Sequence, residues 1–395
     1  MSLPPTIDLE GLGVAEGAHL LVRRALEPLA DGQRLEVRGT HVDLPVHLRA
    51  WCRAHGHRYS EGEGHLWVEK GAASGMSAAS SERSGGPAPT DVVGKPPAHW
   101  GLAARGARVE LGGPEPYFAL ARRDVVWADE APKLYVQAAG SQWDPAAAVD
   151  WSAPIDHDED VERAVVQVMT YLVENEAAAL VVPARFLGSV HPHFREVVQL
   201  LAVQVADEAR HIEIFTRRAQ LQGAPLGWSS AGGRHSLQTL LDEPDFAVAS
   251  FLLSVLGEGT FLSLLSFLER HGPDAVTRRV AQLALQDEAR HVAFGMSHLR
   301  SHIDAEPSLR GKLAAAVERR HAALAHTTGL NEQVFDALVL LAAGSFEIAD
   351  LRRGFGAVKE LEREMDAGRR RRLARLGFAA PEAEALSALH TRNFM

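Results

Sequence analysis

Asp207-Glu208-Ala209-Arg210-His211 recurs, letter for letter, as Asp287-Glu288-Ala289-Arg290-His291. Both copies lie in long stretches whose apolar residues fall at helical spacing, and a Phe follows each within a turn or so. On a helix, Glu and His three apart project from one face, so both side chains reach a common ion. Each copy is preceded by a glutamate in a strongly apolar segment: Glu176 lies 32 residues before Glu208, and Glu258 lies 30 before Glu288. About thirty residues make one long helix, a turn and a helix back to the same height. Four helices then present Glu, Glu-x-x-His, Glu and Glu-x-x-His at one level of one core. Four buried glutamates would repel one another and cost roughly several kcal/mol each to desolvate; two divalent cations remove that cost. Carboxylates and imidazoles in this ratio suit two iron ions, or a manganese–iron pair.

A single Glu-x-x-His is more often an exposed ion-pair feature. Duplication, with an upstream glutamate at matched distance, is what turns the reading towards metal. The candidate ligands are Glu176, Glu208, His211, Glu258, Glu288 and His291. Glu174 competes with Glu176; the two point about 200° apart on a helix, and Leu172, Ala179 and Leu180 put Glu176 on the apolar face. Asp207 and Asp287 are placed to accept from the non-ligating nitrogen of a ligand histidine, with Arg210 and Arg290 balancing them. No catalytic residue is named beyond the ligands. Phe215, Phe261 and Phe294 are candidate pocket walls for which plain packing is the simpler role. Glu347 reads as a helix-end or ion-paired glutamate, with a place in the pocket as the alternative. His191 and His193, beside Pro192 in a connecting turn, read as surface residues.

Outward from the repeat, apolar periodicity runs through 159–187, 194–220, 244–271, 273–303, 307–327 and 331–366. Long helical patterns with short connections argue for a bundle rather than a βαβ fold. Arg369 to Arg372 reads as a solvated helix face. Residues 1–71 have a different grammar: strand-like Ile7-Asp8-Leu9 and Arg34 to Arg38, helical Ala18 to Leu29 and Leu44 to His55, then strand-like Leu66 to Glu69. That order suits a small two-layer α/β sandwich. Residues 72–105, rich in Gly, Ala, Ser and Pro, read as a flexible linker, and 106–395 as the helical domain. The fold class expected is mainly α: a four-helix bundle with extra helices, preceded by the α/β unit.

Composition narrows the function classes. A net charge of −10 does not favour nucleic acid or an anionic membrane surface. No stretch approaches about 20 uninterrupted apolar residues, and Met1 to Gly11 lacks the pattern of a secretory leader. One cysteine, Cys52, excludes an internal disulfide and a Cys-rich metal site. A cytoplasmic location is expected.

Two resemblances follow. Asp8, Gly11-Leu12, Val22 to Leu26, Gly32, Leu35 to Val37, Trp51-Cys52, Gly56-His57 and Lys70-Gly71 resemble a TusA-type sulfur-carrier domain. That family carries sulfur on a Cys-Pro pair after its first strand; Val14 and Ala15 stand there here. The resemblance implies the shape without the sulfur chemistry. The paired Glu and Glu-x-x-His motifs resemble the ferritin-like superfamily of non-haem di-iron carboxylate proteins, over about residues 130–300. The stretches Leu134-Tyr135, Gln142-Trp143-Asp144 and Val149-Asp150-Trp151 are similar to the lead-in of oxygenase-type members.

Departures prune the superfamily's branches. One cysteine cannot build the second site of a rubrerythrin. Phe215 stands where a reductase subunit has its radical tyrosine, and Tyr171 precedes the first glutamate. Leu262, with Thr260 nearby, replaces the threonine of hydrocarbon monooxygenases and desaturases. The resemblance then implies a di-iron oxygenase that activates O2 to N-oxygenate or hydroxylate a small organic substrate. Electrons would come from a separate ferredoxin or flavin reductase, and a homodimer is expected. The rival is a non-catalytic ferritin-like protein that stores or senses iron and uses the N-terminal domain for docking.

Overall fold

The computed structural model describes residues 4–62, 64–72, 81–325 and 332–390. The chain divides into two compact units, residues 1–87 with 103–115, and residues 88–102 with 116–395.

In the first unit, β1 (Thr6–Asp8), α1 (Ala18–Leu26), β2 (Arg34–Arg38), α2 (Leu44–Ala54), β3 (Arg58–Gly62) and β4 (His65–Glu69) follow in order. They form a four-stranded sheet of order β1-β2-β4-β3. β1 is parallel to β2, and the other pairs are antiparallel. Alternation in β2 sends Leu35 and Val37 into a core with Val22, Leu26, Leu48 and Trp51 from the two helices. Cys52 is buried in that core, and burial pushes its thiol up to about 12, so it stays protonated and inert. A second small sheet pairs β5 (Ser81–Arg83) with β6 (Arg108–Glu110). Thus part of the stretch expected as linker has described structure; residues 73–80 of it lie outside the described residues.

The second unit is helical. After α3 (Arg123–Val126) and α4 (Ala131–Gly140) come α5 (Glu159–Leu187), α6 (Arg195–Ala219), α7 (Ala231–Leu241), α8 (Phe246–His271), α9 (Ala275–Ala305), α10 (Leu309–Leu324), α11 (Glu332–Ala343), α12 (Ile348–Arg375) and α13 (Ala380–Leu389). α5, α6, α8 and α9 make the four-helix bundle, of the ferritin-like kind, and the others are its extra helices. Asp245 accepts from Val248 N at 3.0 Å and Asp274 from Thr277 N at 2.7 Å, which fixes where α8 and α9 begin. Gly272-Pro273 ends α8, and Pro307 follows α9. α5 and α8 are long and apolar enough to cross a membrane, but 67% and 83% of their apolar windows are buried, as core helices require.

Three expectations are corrected here. The periodicity over 331–366 is not one helix: Gly344, at φ +77°, closes α11, and Ser345 accepts from the Glu347 amide to restart the chain as α12. Residue 331 lies outside the described residues. The Arg369–Arg372 run is only half solvated. Three apart on one face, Arg369 turns inward to Ser387 Oγ at 3.1 Å and Arg372 to the Val255 carbonyl at 2.6 Å, while Arg370 and Arg371 face out. His191 and His193 are buried rather than on the surface. Their turn folds under Val92 to Trp100: His193 accepts from Val93 N at 3.1 Å and its ring lies 5.2 Å from that of Trp100. α7 was not legible in the periodicity, because Gly232-Gly233 open it and the Ser230 cap, accepting from Gly233 N, holds its first turn.

Candidate metal centre

The bundle brings all six candidate ligands together. Glu176 on α5, Glu208 and His211 on α6, and Glu258 on α8 meet Glu288 and His291 on α9, and none is more than 3% exposed. They form two overlapping groups whose ligand atoms all lie within 4.8 Å of one another. Glu176, Glu208, His211 and Glu288 make one; Glu208, Glu258, Glu288 and His291 make the other. Glu208 and Glu288 belong to both. The cluster is able to bind two metal ions. Glu174, two residues from Glu176 on α5, is outside it, as helical phase requires, and Glu347 is exposed at the N-terminus of α12.

Glu258 sits on a backbone feature that periodicity does not reveal. Residues Phe251–Glu258 form a π-helical segment within α8, a wider winding that recurs at functional sites. Arg372 reaches across to the Val255 carbonyl, and Gly259 lets it: a Cβ there would lie 2.4 Å from Arg372 Nε. Gly295 plays the same part on α9, where a Cβ would lie 2.5 Å from Ser254 Cβ.

Each histidine turns Nδ1 to the carboxylates and Nε2 outward to an aspartate of the other half. His211 Nδ1 lies 3.2 Å from Glu208, 3.4 Å from Glu288 and 3.6 Å from Glu176; its Nε2 lies 3.3 Å from Asp287. His291 Nδ1 lies 3.1 Å from Glu208 and 3.5 Å from Glu288; its Nε2 lies 3.1 Å from Asp207. An aspartate accepting from Nε2–H leaves the Nδ1 lone pair facing the cluster, the tautomer a metal ligand needs. Arg210 pairs with Asp207 and Arg290 with Asp287, so the outer layer is charge-balanced.

The inner layer is not. Oxygens of Glu176, Glu208, Glu258 and Glu288, and Nδ1 of His291, are buried without a hydrogen-bond partner. Buried polar atoms are almost always paired, so several facing one another mark a missing cation. Burial, with the repulsion of Glu208 and Glu288, raises the Glu176 carboxyl well above its ordinary value. Burial and Glu288 do the same to Glu258. Burial alone would raise Glu208, but His291 and His211 hold it below the ordinary range. Both imidazoles are driven up, against burial, by the carboxylates around them. Protons thus stand in for missing positive charge, and the donor set fits two divalent cations.

Three neighbours were not singled out from sequence. Trp143 donates to Asp287 at 2.8 Å, stacks on the His211 ring and lies under the Arg210 guanidinium. Gln142 donates to Asp207 at 3.1 Å. Gln204 donates to Glu258 at 3.1 Å; its position, four before Glu208 on the same helix face, was the available signal. Phe215 packs beside the His211 ring and Phe261 against Tyr171, whereas Phe294 lies beside His298.

No family model matches the chain, and no curated protein matches it. Among solved structures, one similar to it is a protein from Synechococcus with aldehyde deformylating oxidase activity, at 17% identity and a TM-score of 0.41, covering 58% of this chain and 96% of that one. Another is an R2-like ligand-binding oxidase with an aerobically reconstituted metal cofactor after photoconversion, at 16% identity and a TM-score of 0.42, covering 66% of this chain and 90% of that one. A variant of such an oxidase with a Mn/Fe cofactor reaches 0.44 at 16% identity, over 65% and 94% of the chains. These are partial backbone likenesses, and the chemistry of the centre rests on this chain's own residues.

Proposed function

We propose that this chain is an oxygen-dependent oxidoreductase with a dimetal carboxylate centre. Glu176 and His211 would hold one ion, Glu258 and His291 the other, and Glu208 and Glu288 would bridge them. The observation that carries the reading is the unpaired inner layer: four buried carboxylates, two correctly faced imidazoles, and no counter-cation among the described residues. When bound, an iron pair or a manganese–iron pair supplies the redox equivalents and open positions at which dioxygen reacts.

The protein's own contribution is binding, orientation and exclusion of water. Asp207 and Asp287 fix the histidine tautomers. Gln204 orients Glu258 through one oxygen and leaves the other free. Phe215 and Phe261 keep the surroundings apolar, which strengthens each electrostatic contact inside. Within this class we place N-oxygenation or hydroxylation of a small organic substrate, with electrons from an external ferredoxin or flavin reductase. We place the chain in the cytoplasm as a homodimer. The N-terminal unit is read as a TusA-like docking domain, supported by its element order and by an inert Cys52.

The test is metal content together with the optical spectrum of anaerobically reduced protein mixed with oxygen. About two metal ions per chain and a transient visible band are expected, both lost in Glu208→Ala and His291→Ala. Metal indifferent to both substitutions would sink the reading. Iron uptake far beyond two per chain would point instead to storage.

A further inference from the structure

A second unpaired charge lies next to the π segment, and the metal centre does not account for it. Arg320 on α10 is 7% exposed. Its Nη2 donates to Ser236 Oγ at 2.6 Å and to the Ser236 carbonyl at 3.4 Å, while Nε and Nη1 are buried without partners. Among the described residues no carboxylate pairs with it, and the neighbouring stretches 326–331 and 391–395 contain no Asp or Glu. Buried arginines are ordinarily paired, because an unpaired buried cation is costly.

Arg320 lines a cleft of about 300 Å³, open mouth included, with Leu252, Leu256, Val317, Leu389 and His390. The surroundings are positive. His390, whose Nε2 is enclosed without a partner, is driven well below its ordinary value by burial and by Arg369, Arg320 and Arg372, so it stays neutral. Of these three arginines only Arg369 feels a carboxylate, that of Asp366. The phenol oxygen of Tyr171, close enough to Arg320 for their charges to interact, is buried and unpartnered too. The cleft thus offers a guanidinium with two free nitrogens, an enclosed imidazole nitrogen and aliphatic walls.

Guanidinium recognises carboxylate and phosphate alike. Size and surroundings separate them here. The enclosed part admits only a water-sized group, which suits the small head of a monocarboxylate, and the leucines and valine suit an apolar body in the mouth. We propose that this cleft is a binding site for the carboxylate of an apolar organic acid, held at Arg320. Leu252 and Leu256 belong to the π segment that ends at Glu258, so an occupant lies against the turn that carries that glutamate.

Calorimetric titration of the full chain, chelated and metal-loaded, tests this with hexanoate, its uncharged analogue hexanamide, and inorganic phosphate. Hexanoate is expected to bind at least about ten-fold more tightly than hexanamide, and Arg320→Met to remove that preference. Ligand-free Arg320→Met is expected to melt no lower than wild type, because the substitution removes an uncompensated buried cation. Equal binding of hexanoate and hexanamide would overturn the proposal, as would tighter binding of phosphate. So would an Arg320→Met protein that melts lower yet keeps the preference for the acid, which would make Arg320 a structural residue. Because binding is read on chelated protein as well, a failure of the dimetal reading leaves this result interpretable.

Discussion

The same three bundle helices carry two buried charge clusters about 21 Å apart along the helix axis. In one, Arg218 on α6 is wholly buried and donates to Glu162 at 2.8 Å through two nitrogens, to Asp274 at 2.8 Å and to Thr277 Oγ1 at 2.7 Å. Every polar atom of that guanidinium has a partner. In the other, fourteen residues further along α5 and α9, Glu176 and Glu288 face Glu208, Glu258 and two imidazoles with oxygens left over. Depth and helices are alike; the difference is charge. The Arg218 cluster carries its own cation, whereas the glutamate cluster must take cations from solution.

The comparison breaks most visibly under metal titration. Mn(II) or Fe(II) at about a hundred times its dissociation constant should stabilise the wild-type protein by about 2.7 kcal/mol per site, seen as a large rise in melting temperature. Glu208→Ala or Glu288→Ala, each removing a bridging ligand, should abolish that rise. Metal-free Glu258→Gln should melt no lower than wild type, since it removes one of four repelling carboxylates. A metal-free protein destabilised by Glu258→Gln would mean that the carboxylates are held by something other than a missing cation.

The other arm is Arg218→Met. Removing one partner of a satisfied buried cluster leaves Glu162 and Asp274 unpaired, at a cost of about 3–5 kcal/mol. Denaturant unfolding should show that loss while the bound metal stays at about two per chain. If Arg218→Met also emptied the centre, the two clusters would form one coupled network.

These contrasts explain what was legible in the sequence. Glu208, His211, Glu288 and His291 could be read because helical phase is local and the motif is repeated. Glu176 could be separated from Glu174 on the same ground. Arg218 was equally inward, seven residues beyond His211, but a lone cation has no repeat to mark it. The π segment escaped because its winding depends on a contact 117 residues away, between Arg372 and the Val255 carbonyl. Only Gly257 and Gly259, flanking Glu258, hinted at it. Trp143 and Gln142 escaped likewise, because they reach the centre from outside the four helices.

Acidity separates the clusters next. Without metal, Glu176, Glu258, His211 and His291 all have folded values raised above their ordinary ones. Each contributes stability that is present at low pH and is lost as pH climbs through the raised value. Glu208 is lowered and Asp287 is held at about 2, so both contributions are constant between about pH 5 and 8. Chelated protein should therefore melt lower at about pH 8 than at about pH 5.5. Metal binding needs deprotonated ligands, so the stabilisation by added metal should grow over that range. Asp274 in the Arg218 cluster is lowered, against burial, by Arg218 and Thr277, and its contribution is lost only under stronger acid. A chelated protein that gained stability from pH 5.5 to 8 would contradict the charge deficit.

The smallest expected effect divides the centre itself. Its two halves share a motif but not an outer layer: Trp143 supports Asp287, which faces His211, while Gln142 supports Asp207, which faces His291. An indole N–H fixes one carboxylate oxygen and shields it with a ring under Arg210, whereas the Gln142 amide is shared between Asp207 and Arg210. Loss of such outer partners typically weakens metal affinity by about 10- to 100-fold. Trp143→Phe keeps the ring and removes the donor, so about ten-fold is expected, confined to the ion held by Glu176 and His211. Metal titration of that variant should then resolve into two steps of unequal affinity, and Gln142→Leu should weaken the other step. Equal weakening of both steps by Trp143→Phe would mean that the aspartates and arginines act as one layer around a single, symmetric pair of ions.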